Sequence, residues 1–199
     1  MSKVLFIKAD PKPDDQSNTF QLANAFMEEY KKCNPDDEII TLDLYKEKIR
    51  LLDGQMISDL FSGVESEMRR HAKLFASADK YVIADPMWNL SIPAILKAYI
   101  DYVVYVGITF KYTENGPVGL LEDKPRKAAH IVSRGGDYSG GPISQYEMGD
   151  RYIRTILGFM GIHDIITVTF EMTNVLTGET FEDIKNKSHQ QAREAANVF

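Results

Sequence analysis

Short apolar runs alternate with amphipathic stretches along this chain. Val4-Leu5-Phe6-Ile7 is continuously apolar, as a strand buried on both faces of a parallel sheet would be. Ala9–Gln16 has two prolines, three aspartates and no period, which predicts a loop. Ser17-Asn18-Thr19 then opens a helix whose apolar positions are Phe20, Leu22, Ala23, Phe26, Met27 and Tyr30, and Asn34-Pro35 ends it. Glu38–Leu44 reads as a second strand, Tyr45–Gly63 as irregular with room for a short helix, and Glu65–Ala78 as a helix. Tyr81-Val82-Ile83-Ala84 is the third strand, stopped by Asp85-Pro86, because proline lacks a donor and keeps its predecessor out of helical geometry. Met87–Leu90 follows as a loop. Ser91 reads as a helix cap and Pro93 as a first-turn residue of a helix ending near Val103.

Thr109–Leu120 contains Asn115-Gly116-Pro117, turn chemistry that predicts a surface excursion or hairpin. Lys127–Val132 is another strand, followed by a Gly/Ser/Tyr-rich loop to Pro142. A helix runs from Tyr146 to Met160 and is closed by Gly161, a strand from Ile165 to Phe170, and a last helix from Phe181 to Val198. Strand and helix thus alternate five times. Parallel strands need crossover connections, so the pattern predicts a five-stranded parallel sheet covered on both faces, an α/β three-layer sandwich of flavodoxin-like order over one domain, residues 1–199.

Composition narrows the function classes. Of the 199 residues 44% are hydrophobic and 26% charged, which suits a globule with a sizeable core. The formal charge of −6, without a Lys/Arg run, argues against a nucleic-acid surface. No apolar stretch approaches the roughly 20 residues that span a bilayer, and the N-terminus is too short and strand-like for a signal peptide. Cys33 is the only cysteine, so no intrachain disulfide forms; a cytoplasmic location is expected. The four histidines lack metal-ligand spacing, there is no Gly-x-Ser-x-Gly elbow, and Gly-x-Gly-x-x-Gly and Walker-type loops are both missing.

All strand C-termini of a parallel sheet point to one edge, so the loops after Lys8, at Met87 and at Ser133 must crowd together. Ser17, Asn18 and Thr19 stand at a helix start, where orphan N–H groups and the helix dipole attract phosphate. The hydroxyls of Ser17 and Thr19 would add two donors; plain capping by Ser17 explains the same triplet. Trp88 offers a flat apolar face for stacking and Asn89 both donor and acceptor, although a lone tryptophan also serves as a core anchor. Gly135-Gly136 lets backbone approach a planar ring, or simply turns the chain.

Four segments together carry a resemblance to a known family: Pro86-Met87-Trp88-Asn89-Leu90-Ser91-Ile92-Pro93, Phe110–Leu120, Ser133-Arg134-Gly135-Gly136 and Leu157-Gly158-Phe159-Met160-Gly161-Ile162. In order and across nearly the whole chain, they resemble the FMN-dependent NADH azoreductases and quinone oxidoreductases of bacteria, a flavodoxin-like group. The resemblance implies ring-binding motifs at Met87, Trp88, Asn89 and Leu90 and at Ser133, Arg134, Gly135 and Gly136. It implies a phosphate cluster at Ser17, Asn18 and Thr19, and pocket aromatics at Tyr112 and Phe159. Where many members carry serines after the first strand, this chain has Ala9-Asp10. The implied cofactor is FMN, with NADH as reductant and quinones or azo compounds as acceptors. No side chain need act as acid or base for the first transfer, because the flavin carries the chemistry. The excursion at Phe110–Leu120 favours an enzyme over the alternatives, a flavodoxin-type electron carrier or a non-catalytic FMN-binding module. A homodimer is also implied, and Tyr99, Tyr102, Tyr105 and Phe110 are expected on its interface.

Overall fold

The computed structural model describes residues 1–199 except for the side chain of Phe61. Its elements in chain order are β1 (Lys3–Lys8), α1 (Asn18–Cys33), β2 (Glu38–Asp43), α2 (Gly54–Ser62), α3 (Glu67–Ser77), β3 (Lys80–Pro86), α4 (Ala94–Val103), β4 (Phe110–Thr113), β5 (Gly116–Gly119), β6 (Lys127–Ser133), α5 (Gly149–Met160), β7 (Asp164–Phe170) and α6 (Gly178–Asn197). The sheet runs β2-β1-β3-β6-β7, and every pair in it is parallel. The chain winds outward from β1 to β2, then crosses back to β3, so strand order reverses between β1 and β3. That is where open α/β sheets leave a crevice.

Alternation along the strands divides the core in two. Leu5, Ile7, Tyr81, Ile83 and Ala128 face one apolar cluster with residues of α3, α4 and α5. Val4, Phe6, Val82, Ala84, Ala129, Ile131, Val168 and Phe170 face the other, with α1 and α6. The apolar stripe expected of α1 is buried throughout. The excursion after α4 is the antiparallel hairpin β4–β5. Gly119 of the hairpin packs so tightly on the end of α5 that a Cβ there would lie 2.6 Å from the Gly161 nitrogen. Gly161 closes α5 at φ 101°, a left-handed cap that disfavours any side chain.

Three expectations need correction. Tyr99, Tyr102, Tyr105 and Phe110 do not form an exposed surface; they are 1%, 0%, 1% and 7% exposed. Tyr99 and Tyr102 lie on α4, Tyr105 follows its end and Phe110 opens β4. Helix α3 packs on the first two through the His71 ring, which meets Tyr99 edge-on at 5.7 Å, and the Tyr102 hydroxyl accepts Arg50 N–H, from the segment before α2, at 2.9 Å. Ser91 does not cap α4. Pro93 takes that place with extended backbone and no side-chain bond, while Ser91 closes the preceding turn. Helices α5 and α6 also start elsewhere than expected. A single 3₁₀ turn, Ser144–Tyr146, precedes Gly149, where the Glu147 carboxylate accepts Asp150 N–H at 2.8 Å, and α6 begins at Gly178.

Candidate functional site

The carboxyl edge of the sheet collects three loops. In the first, Ser17 caps α1 and its Oγ accepts Phe20 N–H at 3.1 Å. The same hydroxyl donates to Asp10 Oδ2 at 2.7 Å, and Lys12 N–H reaches Asp10 Oδ1 at 3.1 Å. Thr19 Oγ1 and Ser133 Oγ are 2.6 Å apart, joining α1 to the end of β6. This corrects the expectation of two free hydroxyl donors: the single proton of Ser17 is engaged on Asp10, and Thr19 and Ser133 have one proton left between them. Among the described residues, the N–H groups of Asn18 and Thr19 have no partner at the positive end of α1, and the half-buried Asn18 side chain is beside them. Two of the three aspartates of this loop are turned inward or paired, and Asp15 stays exposed. Asp14 meets the buried Lys8 ammonium at 2.5 Å; burial opposes its charge, but Lys8 and Asn24 hold its carboxyl below the usual range.

In the second loop, Trp88 and Ser91 exchange both backbone hydrogen bonds, at 2.9 and 3.1 Å, around Asn89 and Leu90. Both central residues have positive φ, 48° and 71°. Asparagine tolerates this conformation, whereas at Leu90 it strains the backbone by about 1–2 kcal/mol. The strained turn is held from outside: Met87 N–H bonds Ser133 O, and Leu90 O accepts Met148 N–H, each at 2.9 Å. Trp88 and Leu90 are each 40% exposed, so Trp88 is not a core anchor. A cleft of about 570 Å³ opens beside the turn, walled by Trp88, Asn89, Ile92, Lys97, Tyr45 and Tyr152.

The third loop continues β6. Arg134 is buried, with its guanidinium 3.4 Å from Glu147 and 3.1 Å from Glu171, and its Nε has no partner. The carbonyls of Gly135 and Gly136 accept from Asn174 and Met172, while their N–H groups bond nothing among the described residues. A Cβ on Gly135 would sit 2.5 Å from Asn174 Nδ2, so the Asn174 side chain packs directly against the Gly135 backbone.

A group that the sequence did not reveal lies beneath these loops. His130, in the middle of β6, places Nε2 2.9 Å from Asp85 Oδ1 and Nδ1 2.8 Å from Asp150 Oδ1. Burial works against the imidazolium, but Asp85 and Asp150 override it and raise the His130 pKa to about 9. Burial pushes the Asp85 carboxyl up. Burial also opposes the Asp150 charge, yet His130, Thr167 and Arg154 hold that carboxyl far below the usual range.

The family described as flavodoxin-like fold matches residues 2–196. The chain belongs to this family. It is 54% identical to the FMN-dependent NADH:quinone oxidoreductase 2 of Clostridium acetobutylicum, over the whole of both chains. It also resembles an azoreductase structure from Bacillus anthracis, with 38% identity, a TM-score of 0.90 and complete coverage of both chains. A second structure from that organism, an FMN-dependent NADH-azoreductase in complex with FMN, is 30% identical with a TM-score of 0.89, covering 100% of this chain and 99% of that one.

In this member of the flavodoxin-like family, Tyr112 and Phe159 do not join the three loops of their own chain. Both pack on Phe110, with ring centroids at 5.4 and 5.1 Å. Phe159 is near the far end of α5, which at 12 residues is about 18 Å long and begins beside Leu90. Tyr112 is 67% exposed on the hairpin. A charged cleft of about 630 Å³ also lies at the opposite sheet edge, lined by residues such as Lys80, Lys127 and Asp164, remote from the switch point.

Proposed function

We propose that the protein is an FMN-dependent NADH:quinone oxidoreductase that also reduces azo compounds, one FMN-binding domain acting in the cytoplasm as a homodimer. The observation that carries the reading is the convergence at one sheet edge of unpaired amides from α1 and from Gly135-Gly136 around an exposed, strained Trp88–Ser91 turn. The family relatives named for FMN and NADH agree with it. No helix among the described residues is long and apolar enough to cross a membrane.

The residues fit FMN. The Asn18 and Thr19 amides, with the Asn18 side chain and the remaining Thr19/Ser133 proton, would receive the phosphate at the positive end of α1. Gly135 and Gly136 N–H groups and the Asn89 amide would hydrogen-bond the ring edge, and Met87, Trp88 and Leu90 would pack against the ring and exclude water. Arg134, buried and paired with Glu147 and Glu171, would brace the ring-binding loop. When bound, FMN supplies hydride acceptance and donation, so the protein's task is binding, orientation and dryness. Tyr112 and Phe159, a helix length away in their own chain, would wall the cleft of the second copy.

Nicotinamide and acceptor would use the same cleft in turn. NADH oxidation should depend on added quinone, with parallel lines in double-reciprocal plots. Intersecting lines would reject the shared cleft, and a colourless protein that takes up no FMN would reject the whole reading. An electron carrier would show no quinone-dependent turnover; the β4–β5 hairpin, an elaboration that such a carrier has less need of, speaks against it.

A further inference from the structure

The Asp85–His130–Asp150 chain touches the ring-binding turn at both of its ends. Asp85 is the next-to-last residue of β3, one before Pro86 and two before Met87. Asp150 is in the first turn of α5, directly after Met148 and Gly149. Met148 N–H holds the Leu90 carbonyl, and Gly149 lies beside Ser91, where a Cβ would make ordinary van der Waals contact with the Ser91 carbonyl carbon at 3.6 Å. The connections therefore close a ring: Asp85 to His130, His130 to Asp150, α5 to Leu90, and the turn back to Asp85.

Both imidazole nitrogens of His130 face carboxyl oxygens, and with Asp85 and Asp150 ionised these only accept; the imidazolium beside Asp85 opposes the effect of burial on its carboxyl. Only the doubly protonated imidazolium donates to both; a neutral ring must turn a lone pair toward one carboxylate. The groups around it come from every neighbouring element: Asp85 on β3, Asp150 and Arg154 on α5, Thr167 on β7, and Arg134 in the loop just after β6, itself engaged by Glu147 and Glu171. Thr167 donates to the same Asp150 oxygen at 2.6 Å and Arg154 to the other at 2.7 Å, which fixes that carboxylate as an acceptor. Asp85 Oδ2 is buried without a partner, so His130 provides the hydrogen bond that Asp85 has.

We propose that His130 is a positioning residue for the ring-binding turn: as an imidazolium it ties the entry of the turn, through Asp85, to the helix that holds its exit, through Asp150. The proposal rests on the reading of Met87–Leu90 as the FMN loop. Loss of one of the two hydrogen bonds frees one end of a turn that is already strained at Leu90. The raised pKa of His130, about 9, puts this release on the alkaline side of neutrality.

Trp88, the only tryptophan, stands in the turn and reports on it without any cofactor. In the flavin-free full chain, Trp88 emission excited at 295 nm should change with a midpoint near pH 9. His130→Gln, which can donate to only one carboxylate, should show no such transition. Asp150→Asn keeps the ring but removes a charge that favours the imidazolium, so its midpoint should move to lower pH. It also serves if His130→Gln fails to fold. In the FMN-loaded protein, FMN release from wild type should quicken about tenfold between pH 7.5 and 9.5, the equivalent of one lost hydrogen bond. In His130→Gln it should be fast and pH-independent, whereas a loss of stability alone would leave the wild-type pH profile in place. A flat Trp88 signal from pH 7 to 10 in wild type, or a wild-type release profile in His130→Gln, overturns the proposal. If wild type takes up no FMN at any pH, the functional reading fails, and the Trp88 titration still decides the role of His130.

Discussion

Replacing Ser17 by alanine removes two interactions at once, and the structure assigns each a size. The first is the helix cap to Phe20 N–H, worth about 1 kcal/mol. The second is the hydrogen bond to Asp10, which leaves a 5%-exposed carboxylate with only Lys12 N–H; bonds to charged groups contribute about 1.5–3 kcal/mol. Together they come to about 3 kcal/mol, and a domain of this length loses about 2–4 °C per kcal/mol, so the midpoint should fall by about 6–12 °C. Urea unfolding of the flavin-free chain, followed by far-UV circular dichroism, should show a lower midpoint at an unchanged slope. A cycle with Asp10→Asn should return a coupling above about 1 kcal/mol, because the two residues share one bond. FMN affinity, measured by calorimetry well below the transition, should change by less than about threefold, since the Asn18 and Thr19 amides are untouched. The opposite pattern, an unchanged midpoint with affinity down tenfold or more, would show that the Ser17 hydroxyl serves the phosphate and that its bond to Asp10 is unimportant.

Three further outcomes follow from single sites. His130 titrates higher in the fold than its ordinary value of about 6.5, so its stabilisation is complete below that pH and is lost as pH rises through about 9; unfolding free energies from urea titrations should fall across that window by about 1–3 kcal/mol in wild type and stay level in His130→Gln. Leu90→Gly should stabilise the flavin-free protein by about 0.5–1 kcal/mol in urea, because relief of a φ of 71° outweighs the added chain entropy; a loss of 1 kcal/mol or more would mean that the turn is not strained. Gly161→Ala should destabilise by more than about 1 kcal/mol in the same assay, since it combines a φ of 101° with a Cβ 2.7 Å from Glu122 Cγ; a neutral result would contradict the left-handed cap.

The strands were legible because both faces of the sheet are covered, so Val4–Ile7 and Tyr81–Ala84 read as unbroken apolar runs and needed no partner to be recognised. The hairpin was legible from Asn115-Gly116: Glu114 and Asn115 make the turn, and Gly116 opens β5 at φ 105°. What failed was wherever a distant neighbour decided the role of a residue. The Tyr99-Tyr102-Tyr105 spacing announces a helical stripe but neither where the helix ends nor what covers it; α4 ends before Tyr105, and α3 packs on Tyr99 and Tyr102. Ser91 has cap chemistry, yet its backbone is engaged across a two-residue turn whose positive φ values no local pattern displays. Capping and phosphate binding call for the same Ser17 hydroxyl, and only the fold brings Asp10 to it. His130 was invisible for a related reason: it sits within an apolar strand, and its partners are 45 and 20 residues away, so no spacing rule connects them.

A common logic links the side chains at the carboxyl edge. Backbone N–H groups stay unpaired at Asn18, Thr19, Gly135 and Gly136, and locked polar side chains stand beside them: Ser17 on Asp10, Thr19 on Ser133, and Arg134 between Glu147 and Glu171. These side chains hold the backbone so that its amides point at the edge, and Thr19 and Ser133 keep one proton to add to them. Amides suit that task because they are part of the rigid elements and lose almost no rotamer entropy when they engage a ligand, unlike a serine or lysine side chain reaching out from the surface. The cost of orienting donors is met when the chain folds, which is why the edge tolerates a strained Leu90 and buried carboxylates at Asp10 and Asp85 that a purely structural edge would avoid. Asp10 fits the same logic: its carboxylate is engaged by the Ser17 hydroxyl and by Lys12 N–H, so it supports the cap of α1 from within.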